Sequence, residues 1–170
     1  MQGPIRAIFA LACAALAAGC DQQGRPIQEF GLDKLAKGVS TESDVRMAMG
    51  QPDTVRDEAD GRRSLEYPKG PEGHRTWVFI IGNDGRLEAY SQVLTEQNFG
   101  NVKVGMSKDA VRRLLGRPRT TVQFRLKNEE VWDWRYRDPA NIPRLFNVHF
   151  DIDSGNVVRT SASDDPQHAS

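Results

Sequence analysis

Val104-Gly105-Met106-Ser107-Lys108-Asp109-Ala110-Val111-Arg112-Arg113-Leu114-Leu115-Gly116-Arg117-Pro118 is a short helix written out with its punctuation. Ser107 is a good N-cap, because its hydroxyl can accept a hydrogen bond from a first-turn N–H that has no partner inside the helix. Val111, Leu114 and Leu115 fall on one face at helical spacing. Gly116 suits the left-handed position that closes a helix, and Pro118 prevents continuation. The same punctuation stands earlier, from Gly38-Val39-Ser40-Thr41 through Val45 and Arg46 to Met49-Gly50-Gln51-Pro52. Thr41 matches Ser107, Val45 matches Val111, and Gly50 and Pro52 match Gly116 and Pro118. Thr41 with Asp44 adds a capping arrangement. Helices this short cannot stand alone and must pack on something.

Working outward, that something is sheet. Ser64 to Tyr67, Thr76 to Ile81 and Leu87 to Leu94 read as strands, with Asn83-Asp84-Gly85 turning the second into the third. After the second helix, Val131 to Tyr136 alternates, with Trp132, Trp134 and Tyr136 on one face. Phe146, Val148, Phe150 and Ile152 alternate next, with His149 opposite, and Asp153-Ser154-Gly155-Asn156 turns into Val157 to Arg159. Each copy is therefore expected to be α+β, a short helical segment on an antiparallel meander of about three strands. The expected units are residues 37–99 and 100–160, with the polar Ser161 to Ser170 as a disordered tail.

The N-terminus says where the chain goes. Arg6, the apolar Ile8 to Ala18 and the small residues before Cys20 read as a secretory signal, residues 1–19, too short to be a permanent membrane span. Cys20 sits where a bacterial lipoprotein is acylated, and the polar residues 20–36 read as its tether. Cys13 would leave with the signal, so no disulfide within the mature chain is possible and the fold needs its own core. Lysine plus arginine equals aspartate plus glutamate at 23 each, which argues against a nucleic-acid surface. No cofactor is expected beyond lipid on Cys20.

The Gly105 to Pro118 motif, centred on Gly105-Met106-Ser107, resembles the signature of SmpA/OmlA-type lipoproteins, the BamE-like domain. The tandem form is similar to the two-domain β-lactamase inhibitor proteins. The first resemblance implies an outer-membrane lipoprotein, anchored at the periplasmic face, that supports the machinery for β-barrel assembly without catalysis. The second implies an alternative, a periplasmic protein-binding or inhibitory module. Asp21, directly after Cys20, resembles an inner-membrane retention signal and so leaves the inner membrane's periplasmic face as the alternative location.

No catalytic constellation stands out. His74, His149 and His168 are the only histidines and show no metal-ligand spacing. Ser40 and Ser107 are accounted for by helix starts. Arg112, Arg113, Arg117 and Arg119 form a basic cluster, echoed by Arg46 and Arg56. It reads either as a solvated helix face or as a contact for anionic lipid or an acidic partner. Trp132, Trp134 and Tyr136 read as core or, if uncovered, as a docking groove. Ile142 and Phe146, around the Pro139 to Pro143 loop, are the second candidate contact.

Overall fold

The computed structural model describes residues 31–69 and 73–167. The expected signal, Cys20, Asp21 and His168 lie outside the described residues. Two four-stranded antiparallel sheets with short helices make up the fold, and each sheet is a plain meander. A 3-10 turn at Leu32–Lys34 precedes α1 (Glu42–Met49) and sheet 1, comprising β1 (Thr54–Asp57), β2 (Arg63–Pro68), β3 (Thr76–Ile81) and β4 (Leu87–Gln92). Then come α2 (Glu96–Gly100), α3 (Lys108–Leu115) and sheet 2, comprising β5 (Thr120–Phe124), β6 (Glu129–Arg137), β7 (Pro143–Asp151) and β8 (Val157–Asp164).

The helix starts work as written. In α1 the Thr41 hydroxyl accepts from the Asp44 N–H, and the Asp44 carboxylate accepts from the Thr41 N–H at 2.8 Å, a complete capping box. The Thr41 N–H and hydroxyl both donate to the Asp44 carboxylate and hold that carboxyl below its usual range. In α3 Ser107 accepts from the Ala110 N–H. Gly50 and Gly116 end the two helices at φ 86°, ψ −161° and φ 75°, ψ −166°, an extended positive-φ region open essentially to glycine, which corrects the left-handed helical position expected for them.

Each helix is stapled to the last strand of its own sheet in one and the same way. The Gly38 N–H donates to Leu87 O and the Leu87 N–H to Ser40 O; in the second half Gly105 donates to Val157 O and Val157 to Met106 O. An aromatic on the second strand of each sheet then holds the helix end. The Tyr67 hydroxyl donates to Gly50 O at 3.1 Å, and Trp134 Nε1 donates to Gly116 O at 3.2 Å.

Two cores result. Val45, Leu65, Tyr67, Phe79, Ile81 and Leu87 form the first, with Leu32 and Leu35 against it. Residues 31–36, expected as tether, therefore belong to the folded part. The second core gathers Val111, Leu115, Trp134, Tyr136, Phe146, Val148, Phe150 and Val157, and also Val93, Leu94 and Phe99. The chain crosses from one half to the other inside this core, ahead of residue 100.

Three further expectations are corrected. β1 and β5 are strands that the polar Thr54-Val55-Arg56-Asp57 and Thr120-Thr121-Val122-Gln123-Phe124 did not announce, since an edge strand with one solvated side needs no apolar alternation. α2 is only five residues long, below the reach of helical periodicity. The expected disordered tail is folded at its start: Ser161 to Asp164 continue β8, and Asp165 is 1% exposed.

Candidate functional site

The arginine cluster lies at the seam between the two halves. α3 rests on the outer face of sheet 1 and brings its basic residues to the carboxylates of β1 and the residues flanking it. Arg112 Nη2 donates to Thr54 Oγ1 at 3.4 Å, Arg113 Nη1 meets Glu58 Oε2 at 2.9 Å, and Arg117 Nη1 meets Asp53 Oδ1 at 2.8 Å. Glu66, 1% exposed, accepts the Arg117 backbone N–H and pairs with Arg56 at 3.3 Å. Arg119 stays within its own half, 2.6 Å from Asp133 Oδ1, a carboxylate that also accepts from the Thr120 hydroxyl. Arg46 bonds Glu42 on its own helix and Gln51 just past the helix end. The expectation of a solvated helix face is thus corrected. Arg113 and Arg117 keep 50% and 60% of their side chains exposed, yet both bridge the halves. The sequence could not pair them because their partners lie far upstream in the chain.

A cavity of ≈ 410 Å³ opens along this seam. Tyr67, Leu94 and Trp134 supply apolar lining, while Arg75, Arg117 and Arg119 supply guanidinium groups. The arrangement offers recognition chemistry, an apolar wall beside cations.

The aromatic trio is core. Trp134 is 1% exposed, Tyr136 6% and Phe146 7%, and Trp132 packs half-buried against them. Burial raises the phenol pKa of Tyr136, as it does for Tyr67. The reading of Trp132, Trp134 and Tyr136 as an open groove is corrected, as is Phe146 as a contact. Ile142 is different: it stands 52% exposed on its loop. The helix-motif residues Thr41, Gly50, Pro52, Gly105, Met106, Ser107, Gly116 and Pro118 occupy caps, staples and helix exits.

Two polar arrangements escaped the sequence reading, both on the outer face of sheet 2. Arg135 and Asp165 form a fully buried ion pair, 2.6 Å apart, with neither side chain exposed. Arg135 occupies the alternate position between Trp134 and Tyr136, so its burial was invisible without knowing that residues 165–167 lie over it. Farther along the same face, His149 Nδ1 lies 3.0 Å from Glu129 Oε2 and His149 Nε2 lies 3.1 Å from Ser161 Oγ. The order carboxylate, imidazole, hydroxyl has the outline of an acyl-transfer triad. It lacks the setting of one. Ser161 sits mid-strand in β8 instead of on a sharp turn, and Arg159 binds the same Glu129 carboxylate through two nitrogens. Arg159 first, then His149, holds the Glu129 carboxyl below its usual range. The three side chains tie β6, β7 and β8 together. Among the described residues no group of three His, Cys, Asp or Glu could hold a metal ion.

Residues 91–158 match the Outer membrane protein assembly factor BamE domain. The BamE segment begins at the crossover into the second core, contains α2 and α3, and ends at the start of β8. The description of that family is of an assembly factor and names no catalytic activity. No curated protein matches the chain. Two solved structures are similar at low scores. A DUF4309 family protein from Bacillus subtilis is 18% identical, covering 77% of this chain and 82% of that one, at a TM-score of 0.29. An extracellular protein containing an SCP domain from Bacillus anthracis is 9% identical, covering 95% of this chain and 50% of that one, at a TM-score of 0.30. Among the described residues no helix is long and apolar enough to cross a membrane.

Proposed function

We propose that this chain is a non-enzymatic envelope lipoprotein, anchored through an acylated Cys20, that acts as an accessory or scaffold in outer-membrane β-barrel assembly. The BamE match over residues 91–158 carries this reading, because that segment takes in α2, α3 and β5 to β7 of the second half. The first half is a second BamE-like unit on this proposal. Its support is the shared set of helix staples, glycine exits and aromatic-to-carbonyl bonds. The signal read at residues 1–19 supports a location outside the cytoplasm, with the outer membrane as the leading location and Asp21 arguing for the inner one.

The partner-facing surface then consists of what the seam leaves available. Ile142 and the exposed portions of Arg113 and Arg117 are the nominated residues still open to contact, an apolar point and a cationic one. Such a surface suits a protein partner or anionic lipid heads.

The test is affinity capture of a C-terminally tagged full chain from gently solubilised envelopes, with mass spectrometry of the eluate. Recovery of the β-barrel insertase is the expected result. An eluate without any insertase subunit overturns the assembly role.

A further inference from the structure

The seam is made from one face of α3 and one face of sheet 1, and the chain carries a second version of each surface at its two outer ends. Counting from the N-caps, the seam residues Arg112, Arg113, Gly116 and Arg117 correspond in α1 to Arg46, Met47, Gly50 and Gln51. Counting from Pro52 and Pro118, the receiving residues Asp53, Thr54 and Glu58 correspond in sheet 2 to Arg119, Thr120 and Phe124. Strand register fixes that correspondence, since Thr54 lies opposite Glu66 and Thr120 opposite Asp133.

The outer versions are open. A Cβ on Gly116 would lie 2.9 Å from both Glu66 Oε1 and Thr76 Cγ2 across the seam, whereas a Cβ on Gly50 would meet nothing within 4 Å. Met47 is 78% exposed, Phe124 and Val122 are each 46% exposed, and the adjoining Leu126 is fully exposed. The substitutions at these ends are also complementary. Where the seam sets Arg113 against Glu58, α1 has Met47 and β5 has Phe124, so both halves of the ion pair have become apolar. Changing one alone would set Met against Glu, or Arg against Phe. Similarly the Arg117 to Asp53 pair has its counterpart in Gln51 and Arg119, which can still share a hydrogen bond.

We propose that a second copy of this chain seats its α1 on the β5 rim of the first, Met47 against Phe124, extending the internal seam from one molecule to the next. The contact is head to tail, so it builds short rows or a closed ring instead of a two-fold dimer. It is smaller than the internal seam. The Arg135 to Asp165 pair and the Glu129, His149 and Ser161 cluster close the middle of sheet 2's outer face, leaving only the β5 side for docking.

Sedimentation of the full chain in detergent tests this. The expected result is concentration-dependent association. Phe124→Glu or Met47→Arg alone weakens it about tenfold or more, and Met47→Arg with Phe124→Glu restores it by recreating the Arg113 to Glu58 pair. A single-chain mass up to ~100 µM overturns the proposal, as does association that ignores Phe124→Glu or a double variant no better than the singles. Should a charged variant fail to fold, a photo-crosslinking residue at position 124 serves instead. Crosslinks to residues 42–49 of another copy support the contact, and crosslinks only elsewhere overturn it.

Discussion

Sheet 1 and sheet 2 share strand order, helix staples and the aromatic that holds the helix end, yet they meet different surroundings. Sheet 1 is covered on both faces, by α1 and by α3. Its outer face has accordingly become buried, with Glu66 and Thr76 at 1% and 2% exposure and Glu66 accepting the Arg117 N–H. Among the described residues, sheet 2 has a helix on one face only. Its other face is closed by its own side chains, Arg135 with Asp165 and His149 with Glu129 and Ser161. Topology sets which residues face outward; what lies beyond decides whether they become a joint or a lid.

That comparison can be broken in graded steps. Trp134→Ala should have the largest effect, about 3–5 kcal/mol of lost stability, because it empties the second core and cuts the bond to Gly116. A melting curve measures it, and a loss below about 1 kcal/mol would contradict the assigned burial. Next comes the glycine pair. Gly50→Ala carries only the strain of a positive φ with extended ψ, about 1–3 kcal/mol. Gly116→Ala carries that and the clash with Glu66 and Thr76, roughly 1–3 kcal/mol more. Equal costs in parallel denaturant titrations would show that α3 does not rest on sheet 1. Tyr67→Phe removes the hydroxyl donated to Gly50 and should cost about 1 kcal/mol.

The smallest effect separates the two helix starts. α1 has a full capping box through Asp44, where α3 has Ala110. Because the folded Asp44 carboxyl titrates below the usual aspartate range, its contribution is present above that range and fades as pH falls through the folded pKa. Asp44→Ala should lower the melting temperature at neutral pH, and the gap to the parent chain should narrow as pH falls through the acidic range below about 4. A gap independent of pH would assign the loss to something other than the carboxylate.

Much of the scaffold was legible because punctuation is local. Ser107 and Thr41 cap what they were expected to cap, and Trp132 to Tyr136 alternates as read. The candidate site was less legible, for a physical reason. Arg113 and Arg117 look like a solvated run until Glu58 and Asp53 arrive from a distant segment. Arg135 looks like an outward residue until Asp165 folds over it. Charges carry no directional pattern along a chain, so their partners are set by the fold. The edge strands β1 and β5 hid for a related reason, since their pairing is made by backbone while their side chains stay mixed.

One consequence follows from how Val93 and Leu94 leave β4. They enter the second core at once, 7% and 6% exposed, and Gln92 accepts the Leu94 N–H on the way. The boundary between the halves therefore offers a protease no slack peptide to grip. Digestion should trim the ends while sparing the crossover, and the two sheets should come apart only in a single cooperative step, as one body cut from two patterns.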